Sequence, residues 1–390
     1  MDSIMEITLD FFDEAFTATA KIIPGTVTKT KEFSFILNDD LLISEIKCNE
    51  KTADYEASSP IRPEFRPLSK KISIRNEENI QCIEIKYSGT ISFSLENRSC
   101  WHNIITSDIK SLSWYSCWYP QELSIEIKHD KVIILNGQDY FLVKGRYDER
   151  GKAWEYGDRG YDPYNIVLYR KKALQTVSKP FMNIYFIDDS IEKQADKSVA
   201  LYHEIIDFYN GNLFPQKDIP VLDVACASPA ITVGGGYRRK DLMWCTSLGD
   251  NDQEIAWLNA HETAHIWCSG ADSGSWEDWL NETTAEWASL LFALNKNDDL
   301  LFDFILKPKL EKYKSLPAIR TSDGLRPEGV HDKGTVLFYE MYKLFGVETI
   351  AKTVRLFADL EHKNTFSLLQ ALYDINESDV ADFIKNGITA

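Results

Sequence analysis

The sequence predicts an α+β protein of two domains, an antiparallel β-rich part over residues 1–188 and a mixed α/β to α-helical part over 189–390. Three observations carry this reading. The chain has 390 residues, long for one domain, since domains commonly hold roughly 100–200. From about residue 30 to 190, short runs alternate apolar and polar side chains with the period of a half-buried strand. After Asp189 the apolar residues recur at helical spacing instead.

In chain order the strand-like runs are KEFSFILN, LLISEIKC, NIQCIEIKYSG, TISFSLE, LSIEIKHDKVIILNG, YFLVKGR, NIVLYR and MNIYFID, separated by Gly, Asn, Asp or Pro. Ala195, Val199, Tyr202, Ile205, Ile206 and Tyr209 place a helix over Ile191 to Tyr209. PVLDVACA and ITVGGGYRR then read as two more strands. Helical patterns follow at 252–268, 278–295, 298–314, 329–345, 347–360 and 376–386. No internal repeat and no low-complexity linker interrupts them.

Composition narrows the function. The net charge is −17 with a pI near 4.9, and basic residues cluster only in short runs such as Tyr237 to Lys240. Binding to a nucleic-acid backbone or an anionic membrane is therefore disfavoured. The first residues, MDSIMEITLDFFDEAF, are acidic where a signal peptide would be basic, so no leader is expected. No apolar run approaches the ~20 residues that span a bilayer. Seven cysteines, an odd number without CxxC spacing, argue against a disulfide framework and a cysteine-based zinc site, and fit a reducing cytoplasm.

Chemistry concentrates in HETAHIWCSGADSGSWEDWLNETTAEWASLLF, which begins at His261. His261, Glu262 and His265 spell HExxH. On a helix, residues four apart share a face, so both imidazoles reach one cation while Glu262 borders the same space. Asn251 or Asp252 can cap that helix, and Ile255, Ala256, Leu258 and Ala264 make it apolar. The plainer alternative is a pair of hydrogen-bonded histidines on a surface helix. A catalytic zinc needs three protein ligands and an open fourth position. A carboxylate from a second helix supplies the third, and WLNETTAEW offers Glu282 and Glu286. Their helix is apolar nearly all round, so carboxylates there need a partner such as a metal or an imidazole N–H.

HETAHIW followed by WEDWLNE resembles the signature of the aminopeptidase N-like gluzincins, zinc metallopeptidases of the thermolysin-like clan. Their gap between the two motifs is two residues longer than the one in this chain. The resemblance implies a saddle-like β domain followed by a thermolysin-like catalytic domain, one Zn²⁺ per chain, and Glu282 as third ligand beside His261 and His265. It implies that Glu262 is the general base and that Glu286 orients His261. The family's YxKG tyrosine, an oxyanion donor, is matched by His331 of His331-Asp-Lys333-Gly334, whose N–H can donate in the same way. Tyr339 and Tyr342 are the fallback donors. The family's GAMEN glutamate, which holds the substrate's α-amine, has no counterpart in ITVGGGYRRKDLMW. Gly234, Gly235 and Gly236 there suit either an edge strand that pairs with an extended peptide or a plain turn. LSWYSCWYP is similar to the saddle domain, although core aromatics at a turn explain it equally. About 45 residues follow the His331 helix, too few for the helical roof of larger relatives.

The expected activity is hydrolysis of peptide bonds by zinc-activated water, with a peptide or protein as partner. The altered GAMEN element favours an endopeptidase or atypical peptidase. Two alternatives stand beside it. One is an aminopeptidase using Asp223 or Glu328 for the amine, and the other a non-catalytic peptide-binding module.

Overall fold

The computed structural model describes residues 2–25, 31–61, 67–91, 102–157, 164–230, 232 and 235–389. Its fold is α+β. An eight-stranded sheet has the order Arg146–Asp148, Ala153–Gly157, His129–Ile134, Ile4–Phe12, Ala15–Ile23, Ile83–Gly89, Leu42–Cys48 and Lys51–Thr52. Only Ile4–Phe12 and His129–Ile134 pair in parallel there. A three-stranded sheet (Glu32–Asn38, Ser69–Arg75, Tyr55–Ala57) closes over it, and Ile7, Leu9, Phe16, Phe35, Ile72, Ile85 and Trp118 fill the space between.

The first two strands lie outside the region from which strand patterns were expected, although IMEITLDFF alternates as plainly as the runs that follow. Conversely, LSIEIK, read as part of a strand, is irregular from Leu123 to Lys128, and its end is tied back to Ser3. Most of TISFSLE, namely residues 92–96, lies outside the described residues.

A five-stranded sheet carries the site, in the order Gln175–Lys179, Met182–Phe186, Leu222–Cys226, Leu242–Cys245, Gly236–Arg239. Its first two strands precede the boundary expected near 188, yet the second of them, Met182–Phe186, pairs with Leu222–Cys226 beyond it. One face packs on the four-stranded sheet of Ile104–Ile105, Ile109–Leu112, Tyr140–Leu142 and Ile166–Arg170, through Tyr169, Tyr237 and Trp244. The other packs on helix α1 (Glu192–Phe208) and on Leu258 of α2 (Asp252–Ala264).

The remaining helices are α3 (Asp278–Lys296), α4 (Asp299–Lys312), α5 (Val330–Phe345), α6 (Val347–Asp359), α7 (Thr365–Asp374) and α8 (Ser378–Gly387). The sequence pattern missed only α7, a short helix capped by Asn364. α3 is the hub. Trp279, Leu280, Ala285, Trp287, Ala288 and Leu290 are wholly buried among its neighbours, so its apolar residues encircle the axis.

α5 crosses α3 closely at one point. A Cβ added at Gly334 would overlap Thr283 Oγ1 and press on the Trp279 ring. Gly334→Ala is therefore expected to lower stability by about 1–3 kcal/mol in denaturant unfolding. Gly235→Ala, where an added Cβ meets nothing within 4 Å, should stay within about 0.5 kcal/mol of the parent. Equal effects would refute the close-crossing account.

Candidate active site

α2 starts where Asn251 accepts a hydrogen bond from the Glu254 amide at 2.9 Å, and its regular part ends at Ala264. His265 is the C-cap residue, with φ −61° and ψ −11°, so it keeps the face set by His261 one turn earlier. α3 runs alongside and brings Glu282 against both imidazoles. Glu282 Oε2 lies 3.3 Å from His261 Nε2 and 3.9 Å from His265 Nε2, and the two nitrogens are 3.2 Å apart.

The hydrogen bonds on the far side of each ring fix what these atoms can do. His261 Nδ1 faces Glu286 Oε2 at 2.7 Å, and His265 Nδ1 faces the Cys268 carbonyl at 3.0 Å. A carboxylate and a carbonyl only accept, so both imidazoles carry their proton on Nδ1 and present a lone pair at Nε2. Two lone pairs and a carboxylate oxygen then converge. Such an arrangement is repulsive without a cation. The spacing suits Zn²⁺: a tetrahedron with bonds of ~2.0–2.1 Å places its ligand atoms about 3.3 Å apart. Burial alone would depress the His261 pKa, yet the Glu286 and Glu282 carboxylates outweigh it and hold the ring well above its ordinary range. The field that would retain a second proton there also draws a metal ion.

Around this group sits a ring of charged side chains. Glu286, 1% exposed, accepts from Trp257 Nε1 at 2.9 Å and lies 2.6 Å from Lys309 Nζ through its other oxygen. Burial raises its pKa, but Lys309 and His261 prevail and keep it ionised. Lys309 of α4 also reaches Asp332 of α5 at 3.1 Å. Asp278, the first residue of α3, is buried. It accepts from Asn281 at 2.8 Å and from Arg326 at 2.5 Å. Burial first and Glu282 second push its carboxyl up to about 6.

His331 stands in the first turn of α5 and its ring parallels that of His261 at 6.4 Å. Arg326 Nη2 approaches its Nε2 at 2.8 Å. Because a guanidinium only donates, His331 accepts there and carries its proton on Nδ1, which points at Glu282 Oε2 across 3.2 Å. Burial lowers its pKa, helped by the Arg326 charge and opposed by Glu282, so the ring is neutral. Tyr339 and Tyr342 lie further along α5. Tyr342 packs against Trp287 and Phe302, and neither tyrosine lines the cavity.

A cavity of about 1010 Å³ opens over these residues and is lined by His261, Glu262, His265, Glu282 and His331. Glu262, 7% exposed, faces it from α2. Across it runs the edge strand Gly236–Arg239, all four residues of which line the wall. Of the three glycines read as substrate-binding, Gly236 lines the cavity, Gly235 does not, and Gly234 lies outside the described residues. At Gly236 a side chain would press on the Trp244 carbonyl and Cys245, so the close cross-strand approach itself requires glycine. In WYSCWYP, Trp118 and Tyr119 are core residues, whereas Trp114 and Tyr115 line the cavity. Sequence reasoning gave no site role to Asp278 or Tyr115, although they lie in WEDWLNE and LSWYSCWYP, and it missed Lys309 and Arg326, which belong to no motif; each has a partner remote in sequence.

The architecture is that of the M1 zinc peptidase structures. The chain is similar over 100% of its length to an M1 zinc metallopeptidase mutant from Deinococcus radiodurans bound to a Tyr-Ser-Ala substrate (TM-score 0.67, 11% identity, 93% of that chain covered). It is similar over 98% of its length to native yeast LTA4 hydrolase (TM-score 0.66, 12% identity), of which it covers 66%. The same share is similar to aminopeptidase A of Legionella pneumophila in complex with aspartic acid (TM-score 0.65, 13% identity), of which it covers 49%. No family model and no curated protein sequence matches the chain.

Glu286→Gln preserves shape but removes the carboxylate that fixes the His261 tautomer. Zinc affinity, read by competition with a chromophoric chelator, is expected to fall by ~10–100-fold. Unchanged affinity would show that Glu286 does not orient the ring.

Proposed function

We propose that the protein is a zinc-dependent metallopeptidase that holds one Zn²⁺ through His261, His265 and Glu282 and hydrolyses peptide bonds within a chain. The observation that carries this reading is the convergence of two imidazole lone pairs and one carboxylate oxygen in a cavity that also presents Glu262. Bound zinc supplies the Lewis acidity that activates a water and polarises the scissile carbonyl. Glu262 takes the proton of that water and delivers it to the departing amine. The Nδ1–H of His331 donates to the developing oxyanion, and Arg326 holds the ring in that tautomer. The open edge of Gly236–Arg239 supplies main-chain groups to an extended peptide. Residues 189–390 form the catalytic unit in this reading, and the β-rich part contributes Trp114 and Tyr115 to the cleft.

Neither acid considered for an α-amine supports an aminopeptidase. Asp223 is engaged by Lys144 at 2.6 Å and by Tyr185 at 2.9 Å, and neither it nor Glu328 lines the cavity. The acidic net charge supports a peptide partner over nucleic acid or an anionic membrane surface. Among the described residues no helix is long and apolar enough to cross a membrane. The odd count of seven cysteines without CxxC spacing supports a reducing, cytoplasmic compartment.

Two measurements test the proposal. Glu262→Gln should keep one zinc per chain by native mass spectrometry while peptide cleavage falls by ~10²–10⁴-fold. Wild-type cleavage that survives the substitution sinks the mechanism, and zinc binding without any cleavage leaves a peptide-binding module. N-acetylated peptides should be cut as readily as free ones, and selective loss of the blocked series would indicate an aminopeptidase.

A further inference from the structure

The basic run at the end of the edge strand contains an arginine whose terminal nitrogens are unpaired. Arg238 is 7% exposed, yet neither Nη1 nor Nη2 has a hydrogen-bond partner among the described residues. Its side chain is tied only through Nε, which donates to the Lys240 carbonyl at 2.8 Å. Tyr237 stacks on Trp244, and Arg239 lies over Tyr115 and donates to its hydroxyl at 2.5 Å. Asp241, three residues on, is held by Lys144 through Oδ2 at 2.8 Å, and its Oδ1 makes no hydrogen bond to Arg238.

Side chains alternate along a strand. Tyr237 packs toward the four-stranded sheet, so Arg238 points to the opposite face, where its cross-strand partner Met243 belongs to the cluster that includes Leu258 of α2. This is the side of the HExxH helix, and Arg238 lines the same cavity as His261 and Glu262. A guanidinium cut off from water with no counter-ion is costly to a fold. Two buried N–H donors left unpaired beside a cleft match one group above all, a carboxylate bound in a fork.

We propose that Arg238 receives a carboxylate of the substrate, so that the cleft selects peptides by an anionic group at a set distance from the cut bond. The inference rests on the metallopeptidase reading for the identity of the substrate but not for the binding itself. A peptide offers that carboxylate either as an Asp or Glu side chain or as its C-terminus.

The test uses the zinc-loaded full chain and two peptide series, Glu against Gln at each position in turn and a free against an amidated C-terminus. Binding is read by calorimetry on the Glu262→Gln protein and cleavage on the wild type. One series should show a roughly 10- to 100-fold preference for the carboxylate form, and the series that responds identifies its source. Arg238→Met, introduced into both proteins, should erase the preference for the carboxylate form over the neutral form, while Arg238→Lys should restore part of it. Because the methionine removes an uncompensated buried charge, its Tm should rise, whereas a structural arginine would leave a lower Tm. Carboxylate-independent binding in both series, or a preference that survives Arg238→Met, overturns the proposal. Cleavage without discrimination overturns it while the peptidase reading stands. Carboxylate-dependent binding without cleavage by the wild type upholds it while the peptidase reading falls.

Discussion

Two imidazole lone pairs and a carboxylate oxygen confined within 4.8 Å repel one another, and burial leaves them little water to soften the repulsion. The fold holds them together by controlling protons from outside. Glu286 and the Cys268 carbonyl each claim an Nδ1–H, so both Nε2 atoms are committed to the centre. Glu286 must in turn be kept charged, and Lys309 does so while also gripping Asp332. A single ammonium thus links α3, α4 and α5, and through Glu286 it bears on α2. The same logic repeats on the other flank, where Asp278 holds Arg326 and Arg326 sets the tautomer of His331. His261 and His331 are each positioned by an ion pair, Glu286 with Lys309 and Arg326 with Asp278.

The reach of the sequence follows from where each signal resides. HExxH and WLNE were legible because ligand geometry is written in helical spacing, and α2 and α3 carry those residues where the pattern places them. Most helices were legible from periodicity, and so were strands such as Glu32–Asn38, Leu42–Cys48, Ile83–Gly89, Ile166–Arg170, Met182–Phe186 and Leu222–Cys226, whereas Ser69–Arg75, Ile109–Leu112, Ala153–Gly157, Gln175–Lys179 and Leu242–Cys245 were not read as strands. The opening pair of strands was readable by the same rule but lay outside the region assigned to it. The irregular LSIEIK shows the opposite failure, for an alternating pattern fits any extended chain with one buried face, and pairing decides the rest. The positioning ring was not legible. Lys309 and Arg326 sit among many surface-type cations, and only packing reveals that these two are buried beside acids. Gly236 was noticed for its composition, but the constraint on it is the approach of Trp244 and Cys245 rather than space for a ligand.

Charge is distributed against the average of the molecule. The chain carries −17 overall, yet the wall facing the ligand group is cationic, with Arg238, Arg239 and Lys240 side by side. The acids of the cleft are mostly on the helical side, where Glu262 and Glu282 face inward. On the proposed function, a bound peptide would lie between a cationic strand and an acidic helix pair, and its polarity along the cleft would have an electrical sense as well as a steric one.

The parallel pairing at the heart of the eight-stranded sheet bears on how the protein assembles. Ile4–Phe12 can form its hairpin with Ala15–Ile23 at once, but its other edge waits for His129–Ile134, and Ser3 closes on the Glu126 carbonyl 123 positions away. Loop closure over that span is slow compared with a hairpin. During synthesis Ile4–Phe12 leaves the ribosome well before His129–Ile134, the strand that seals its other edge, and that edge stays open meanwhile. Nascent chains interrupted before residue 134 would lack that closing strand, so the β-rich part is expected to depend on chaperones more than the locally connected helices that carry the chemistry.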